Sequence, residues 1–312
     1  MSTAAETASR PDARPRRRRI ADDEAWLGRL MLAPAVIYIL ALVGFPFFLA
    51  LIYSVSSITV GSTDFHFVGL ENYRQALDNP TFLRALRNTF IFALISQALV
   101  LILATILAIA LQKDFRGKWF VRLLILLPWV APISLGTIGW LWIFEPIYSV
   151  INWTLRSIGI FGPHTWPIWL GQPRLAMASV ITVHVWRLLP LATIILLGGL
   201  SSIPQDIHDA AQIDGANFLR HHFQITVPLI RPILLVALMF GMIFAVTDMI
   251  VIYVLTRGGP YDQTQVLATL AFFTGIDGGD LAGGASIALF LFPVLAAGAI
   301  VLLRLARRSE VG

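Results

Sequence analysis

Residues 209–232 read DAAQIDGANFLRHHFQITVPLIRP, a polar segment within a chain of 312 residues that is 57% hydrophobic and only 13% charged. Soluble domains average roughly 45–50% apolar and about 25% charged residues. The composition therefore predicts an integral membrane protein, and the quoted segment interrupts its apolar character. We expect this segment to lie outside the membrane, because unsatisfied polar groups are costly in hydrocarbon.

The apolar residues on both sides of this segment fall into windows long enough to cross a bilayer. A transmembrane helix needs about 20 predominantly apolar residues. The windows that qualify are 30–55, 89–112, 123–144, 175–200, 232–255 and 285–303. The sequence thus predicts an all-α integral membrane protein with six transmembrane helices.

The distribution of basic residues predicts how these spans are oriented. Lys and Arg accumulate on the cytoplasmic side of membrane proteins. The tail to residue 29, the loops 113–122 and 201–231 and the segment after 303 hold 16 of them, against 6 in the alternate loops. Both termini and the loop 201–231 are therefore predicted to be cytoplasmic.

The same reasoning divides the chain into segments. Residues 1–29 are predicted to be a basic, disordered cytoplasmic tail, and 30–85 the first transmembrane helix and its outer loop. Residues 86–305 are predicted to form the main transmembrane domain, and 306–312 a cytoplasmic tail.

The loop 201–231 has the capping and turn residues expected of two short helices joined at a glycine. Ser202 is the predicted N-cap of the first helix, with Gln205 as its capping-box partner, and Gly215 is the predicted point at which the chain leaves that helix. Asn217 is the predicted cap of the second helix, and Pro228 is predicted to close it.

The charges and apolar residues of the two helices leave two interpretations open. Asp206 and Asp209 suit the positive end of the first helix dipole. In the second helix, an apolar face is predicted from the spacing of Phe218, Leu219, His222 and Phe223. This face could bind a partner protein, or the element could lie on lipid. The lipid alternative is less favoured, because interfacial helices carry Lys and Arg, whereas 206–222 has three aspartates and one arginine.

Ionisable residues inside predicted spans are candidates for a functional site. The fourth window contains His184 and Arg187, and the fifth contains Asp248. Such groups are costly in lipid and usually face a polar cavity or one another. Their alternatives are a structural pair between spans or a solute pathway, to which Trp140 of the third window could contribute. We predict that Asp248 has a polar partner.

Several chemistries are not supported by the sequence. No GxxxxGK[ST] phosphate-binding loop occurs, so the chain has no ATP-hydrolysing motif of its own. Cysteine is absent, and the histidines at 208, 221 and 222 lack the usual metal-ligand spacing. We therefore predict no catalytic residues, no metal site and no bound cofactor, and nothing favours nucleic-acid binding.

The polar segment resembles a known signature. Asp209-Ala210-Ala211, then Gly215 after three residues, Ile225 after nine more, and Val227-Pro228 match the cytoplasmic loop signature of permease subunits in binding-protein-dependent ABC importers. Asp209 replaces Glu and Val227 replaces Leu in that signature. Both replacements keep the chemical type.

Three further stretches are similar to the sugar-importer branch of this family, which contains maltose-type and glycerol-3-phosphate-type permeases. They are FVGLENYRQALDNPTFLRALRNTF from 67, LLPWVAPISLGTIGWLWIF from 126 and VLTRGGPYDQTQVLATLAFF from 254. With the loop signature, the resemblance covers roughly residues 30 to 305.

The resemblance implies a type I ABC importer transmembrane domain whose cytoplasmic loop is a coupling element over 206–226. The residues that it assigns to coupling are Asp209, Ala210, Ala211, Asp214, Gly215, Ala216, Phe218, Phe223, Ile225 and Pro228. It further implies these partners: a second homologous permease chain, two ATP-binding subunits that use ATP and Mg, an extracytoplasmic solute-binding protein and the lipid bilayer. The implied location is a bacterial or archaeal plasma membrane.

Two other functions are alternatives to an importer permease. An ion-coupled secondary transporter should show repeats and a carboxylate relay, whereas Asp248 is the one carboxylate within the windows. A membrane scaffold would leave the spacing of the loop signature unexplained. The sequence therefore favours a permease for a sugar or sugar-like solute.

Overall fold

The computed structural model describes residues 24–62, 64–162 and 165–310. The described residues are helical apart from loops and one isolated antiparallel bridge between Ser56 and Phe67. The chain divides into two compact units, residues 1–49 and 50–312. Most of the predicted basic tail, up to residue 23, lies outside the described residues.

The first unit consists, in its described part, of an apolar helix with one irregular turn. Helix α1 (Glu24–Ile39) leads into a π-helical turn (Leu40–Gly44), and α2 (Phe45–Ser54) continues the chain into the second unit. The π turn precedes Pro46, whose missing N–H interrupts the regular hydrogen-bond ladder. The whole stretch Trp26–Ser54 is long and apolar enough to span a membrane.

The second unit contains the remaining helices in the following order. The first half comprises α3 (Glu71–Asp78), α4 (Pro80–Gln112), α5 (Lys118–Val130), α6 (Ile133–Ile143), α7 (Val150–Ser157) and α8 (Pro173–Ser201). The second half comprises α9 (Gln205–Ile213), α10 (Phe218–His221), a π turn (His222–Thr226), α11 (Val227–Leu229), α12 (Arg231–Val246), α13 (Ile250–Leu255), α14 (Leu267–Phe272), a second π turn (Phe273–Asp277), α15 (Leu281–Leu289) and α16 (Leu291–Glu310).

The centre of this unit is the pair of long helices α4 and α8, with α12 packed against both. The buried face of α4 is rich in alanine, including Ala85, Ala93, Ala104 and Ala108. Small residues let membrane helices approach closely, where van der Waals packing replaces the hydrophobic effect as the source of stability. This packing fixes the positions of the polar side chains described below.

Four of the predicted spans are confirmed as continuous apolar helices of sufficient length. They are Trp26–Ser54, Pro80–Gln112, Pro173–Ser201 and Leu281–Val301. Two bent helix pairs raise the number of candidate spans to six among the described residues. The all-helical membrane fold is therefore confirmed.

The third window, predicted as one transmembrane helix, consists of two helices. Within 123–144, α5 and α6 meet at an angle of 97°. The break falls at Ala131, whose ψ of 141° is extended, and at Pro132, which begins the next helix. A residue before proline is driven away from helical ψ, and this accounts for the bend.

The fifth window is also broken. Helix α12 ends at Val246, and α13 begins at Ile250, so Asp248 lies in the break. At its start, α12 is bent by 76° from the preceding Phe218–Leu229 segment. Pro232 lies in the first turn of α12, where its missing N–H costs no helical hydrogen bond.

Candidate functional site

The loop 201–231 forms a helical hairpin around Gly215. Helix α9 ends at Ile213, and Gly215 adopts a φ of +72°, a conformation that side chains disfavour. Asn217 then caps the second helix by accepting a hydrogen bond from the Arg220 N–H at 2.9 Å. These two predicted features are confirmed, and they explain how a short segment reverses direction.

Two details of the predicted hairpin are wrong. Ser202 does not cap α9, because it remains in helical conformation at the end of α8 and its hydroxyl donates to the Gly199 carbonyl at 2.8 Å. Gln205 instead donates to Asp209 Oδ1 at 2.9 Å. Pro228 does not close the second helix, since it lies in the first turn of α11, where no N–H is needed, and the chain breaks only at Ile230.

A histidine pair joins the two arms of the hairpin. His208 Nδ1 of α9 and His221 Nε2 of α10 share a hydrogen bond of 2.9 Å. Because one ring must donate and the other accept, this bond requires at least one neutral imidazole. Partial burial, and to a lesser degree the charge of neighbouring His221, lowers the pKa of His222. The surroundings of His222 therefore disfavour its protonated form.

The hairpin separates its acidic residues from its basic ones. Asp206 and Asp209 lie exposed on α9, and Asp214 lies exposed at its end. Arg220 is on the second arm, which contains no carboxylate between residues 218 and 229. The two arms thus present surfaces of different chemistry.

The predicted apolar face of the second arm is confirmed. Phe218, Leu219, His222 and Phe223 all line one groove against α4, together with Val227. Phe218 is 67% exposed and Phe223 64% exposed in the isolated chain. The groove is available for a ligand or a partner surface.

The remaining residues of the predicted coupling list differ in exposure. Ala211 is buried and anchors α9, whereas Asp209, Ala210, Asp214, Gly215 and Pro228 are exposed. Ala216 and Ile225 are half-buried. The exposed members from 209 to 215 lie at the end of α9 and in the turn after it, which we call the tip of the hairpin.

A second polar site lies between α8 and the break after α12. His184 Nδ1 and Asp248 Oδ2 share a hydrogen bond of 2.6 Å, and the two side chains are 0% and 2% exposed. Asp248 Oδ1 also accepts a hydrogen bond from the Val251 N–H at 3.2 Å, so the carboxylate holds the first turn of α13. The prediction that Asp248 has a polar partner is confirmed.

Arg187 completes this cluster from one helical turn further along α8. Its Nη1 lies 4.0 Å from Asp248 Oδ2, and its side chain is 21% exposed. The guanidinium also lies over the Trp129 ring, 5.9 Å from the centroid. Of the three ionisable groups, Arg187 is thus the one that retains access to a neighbouring space. Trp140 does not join the cluster, because its ring contacts are with Phe144 and Trp186.

The structure also shows a segment, residues 261–265, that α4 holds by hydrogen bonds and that was not predicted from the sequence. Asn88 of α4 donates through Nδ2 to the carbonyls of Asp262, Gln263 and Gln265 at 3.0–3.3 Å. Arg84 donates to the Tyr261 carbonyl at 2.9 Å. The Gly258-Gly259-Pro260 run is typical of a turn, but nothing in the sequence indicated that α4 would hold this segment.

Within the described part of the chain, no group of three or more His, Asp or Glu side chains is arranged to hold a metal ion.

Comparisons with known proteins are consistent with these features. A family model described as "Binding-protein-dependent transport system inner membrane component" matches residues 22–310. The trehalose/maltose transport system permease protein MalF of Thermococcus litoralis is 33% identical over 91% of this chain and 95% of its own length. The sulfoquinovosyl glycerol transport system permease protein SmoG of Agrobacterium fabrum is 31% identical over 91% of both chains.

A solved structure has the same fold. It is a bacterial ABC transporter involved in the import of the acidic polysaccharide alginate, with a TM-score of 0.78 and 21% identity over 93% of this chain and 97% of that chain. At this level of sequence identity, the similarity shows a shared fold alone.

Proposed function

The chain belongs to the family of binding-protein-dependent transport system inner membrane components, and from this premise we propose that its solute is a sugar or sugar-like compound. The chain is a transport permease subunit and not an enzyme. Relatives named for trehalose/maltose, sulfoquinovosyl glycerol and xylose/arabinose support the proposed solute class. Family membership decides against the secondary transporter and the scaffold.

The partners follow from what the chain lacks. It has no phosphate-binding loop, so ATP and Mg would be used by two separate ATP-binding subunits. A second, similar permease would complete the pathway, and an extracytoplasmic binding protein would deliver the solute. A fold relative solved in complex with a pentasaccharide-bound periplasmic protein supports the last of these partners.

The proposed orientation places both termini and the hairpin in the cytoplasm of a bacterial or archaeal cell. The excess of Lys and Arg in the corresponding segments supports it.

The observation that supports ATPase coupling most directly is the exposure of the tip of the hairpin, residues 209–215. It exposes two carboxylates and a left-handed glycine at the end of a short helix that Ala211 anchors. An exposed, acidic helix end suits contact with a separate protein. Coupling by residues 206–226 would then transmit movement of the ATPase through α8 and α12, which flank the hairpin.

The substitution Asp209→Lys tests this proposal. It places a cation on α9 and removes the acceptor of the Gln205 side chain. We expect the co-purified ATPase, or the response of its activity to loaded binding protein, to fall at least about tenfold, equivalent to about 1.4 kcal/mol.

A matched control is Glu71→Lys, since Glu71 also lies exposed on a short helix and accepts from a glutamine four residues away. Parental uptake in Asp209→Lys with the ATPase fully bound and responsive would show that this surface does not couple.

For the solute pathway we propose Arg187, with His184 and Asp248 holding it in place, and Trp140 further along. Arg187 is the partly exposed member and lies beside the Trp129 ring. A guanidinium next to an aromatic face offers hydrogen-bond donors and a stacking surface, which suit a hydroxylated ring.

A further inference from the structure

Two adjoining recesses lie where the second arm of the hairpin meets α4. The first, the apolar groove, has a volume of about 340 Å³ and is lined by Leu101, Ile106 and Ile109 of α4 and by Phe218 and Phe223 of the hairpin. The second, the polar recess, has a volume of about 560 Å³ and is lined by Gln112, Lys113, His208, His221 and His222. Ile109, Phe218 and His222 line both, so the two recesses adjoin at these residues.

The polar recess has a positive character. Lys113 is the charged residue in its lining, and the lining contains no carboxylate. Among the described residues, the Lys113 side chain has no ion-pair or hydrogen-bond partner. Lys118 nearby, in contrast, forms an ion pair with Asp114 at 3.0 Å. Three imidazoles and the three side-chain amides of Gln112, Gln205 and Gln212 add polar groups to the lining. An anionic group is the natural complement of this recess.

The apolar groove has the dimensions of one lipid leaflet. Its α4 residues run from Leu101 to Ile109, about 12 Å at 1.5 Å per residue. Half of a hydrocarbon core of roughly 30 Å is about 15 Å. A lipid acyl chain would therefore find apolar contact over most of its depth before the polar recess begins.

The excess of aspartates in the sequence disfavoured lipid contact for the hairpin as a whole. In the folded chain, however, the acidic and basic residues lie on different arms. The three aspartates lie on the first arm or at its end, while the second arm carries Arg220 and two histidines. Lipid contact is thus compatible with the second arm alone. In the proposed orientation this arm lies at the cytoplasmic leaflet, where anionic lipids concentrate.

We propose that the apolar groove and the polar recess together bind one anionic phospholipid, with an acyl chain along α4 and its phosphate beside Lys113. The inference rests on the proposed orientation of the permease. It assigns Phe218 and Phe223 to lipid and leaves the tip of the hairpin, 209–215, to the ATPase. A lipid bound in this way would stabilise the second arm against α4.

Photolabelling of the assembled transporter in nanodiscs tests the proposal. The probe is phosphatidylglycerol carrying a photoreactive group in one acyl chain, compared with the same probe built on phosphatidylcholine. We expect phosphatidylglycerol to label peptides containing 101–109 or 218–227. Lys113→Gln should lower that labelling about fivefold, as expected for one basic residue near an anionic surface. Ile106→Trp should abolish it by filling the groove.

Leu94→Trp is the matched control for Ile106→Trp. Leu94 lies on the same helix with similar exposure, 59% against 58%, and lines an apolar groove between α4, α12 and α16 in which no basic residue takes part. This variant should leave labelling at 101–109 unchanged. Free inorganic phosphate should not compete, because it lacks the acyl chain; competition would identify a soluble anion as the occupant instead.

Two results would overturn the proposal. If the assembled complex shows no labelling at these peptides, a partner chain covers the groove. If both probes label equally and Lys113→Gln has no effect, the contact is unspecific boundary lipid. These outcomes are separable from failure of the proposed function, because solute uptake and ATPase binding are measured on the same preparations.

Discussion

At the scale of single residues, Asp248 connects three parts of the molecule. Its carboxylate contacts His184 and Arg187 of α8 and accepts the Val251 N–H at the start of α13. The sequence indicated that such a residue needs a polar partner, because an unpaired carboxylate inside a membrane is costly. It indicated a structural pair between the spans as one alternative, but it could not decide whether His184, which is 64 positions away, or Arg187 would be the closer partner.

We expect Asp248→Asn to separate the charge of this residue from its structural role. The amide oxygen can still accept from Val251, so the amount of folded protein should stay near that of the parent. Solute uptake should fall about tenfold, because Arg187 loses its counter-charge. Asp248→Ala should also lower thermal stability, since breaking a buried pair costs about 3–5 kcal/mol.

Thr247→Ala is the neighbouring control, because the Thr247 hydroxyl bonds only within its own helix, to Ile243. If Asp248→Asn transports at the parental rate while Asp248→Ala melts earlier, the cluster is purely structural.

His222 makes the hairpin sensitive to acid. Burial and the neighbouring His221 lower the pKa of His222 below the ordinary value, so the unfolded segment binds a proton more readily than the folded one. The contribution of His222 to the free energy of unfolding should therefore be complete above a pH of about 6.5. It should decrease as the pH falls below that value. Hydrogen exchange of residues 205–229 measures this loss. The pH range should extend over about two units, from about 7.5 to about 5.5, around the ordinary histidine pKa.

The variant His222→Asn should reduce the pH dependence of exchange, and His66→Asn in an exposed loop should not. Identical pH profiles in the parent and in His222→Asn would show that this side chain does not contribute.

At the scale of elements, hydropathy predicted where the spans lie but not where they bend. Windows 123–144 and 232–255 are apolar throughout most of their length, yet each is broken. For the first, Pro132 contained the signal, which a criterion of length and hydropathy ignores. For the second, the break depends on the Asp248 contacts with α8, which exist only in the folded chain.

The hairpin shows the opposite case, in which local signals sufficed for most of an element. Gly215 and Asn217 perform their predicted roles because turns and caps depend on neighbouring backbone groups. The Ser202 prediction failed because α8 continues to Ser201, one residue beyond its apolar window, and Ser202 uses its hydroxyl at the end of that helix. Asn88 could not be anticipated, since the carbonyls that it holds are at least 174 positions away.

Gly215→Val tests the hairpin as an element. Valine at a φ of +72° should cost about 1–2 kcal/mol or more and displace the second arm. We expect the spans to remain folded and the co-purified ATPase to fall severalfold. Gly198→Ala is the control, since Gly198 lies within α8 with open space around it. Parental uptake in Gly215→Val would show that the left-handed turn is not needed for coupling.

At the scale of the whole molecule, the orientation in the membrane determines which surfaces meet which partners. The hairpin must face the cytoplasm for ATPase coupling, and the segment held by Asn88 and Arg84 must face the opposite side. Basic residues support this arrangement, since 16 lie in the segments assigned to the cytoplasm and 6 in the others.

Reporter fusions test the orientation directly. Fusions after residues 70, 160 and 270 should report the outside, and fusions after 116, 215 and 308 the cytoplasm. The fusion after 160 is the most informative, because it follows the bent pair α5 and α6. If that pair entered and left on the same side as a re-entrant loop, the reporter at 160 would be cytoplasmic, and every later assignment would be inverted. An outside signal at 160 with a cytoplasmic signal at 215 requires that the bent pair crosses the membrane once and that α8 returns, which places the coupling hairpin and the proposed lipid site on the same cytoplasmic face.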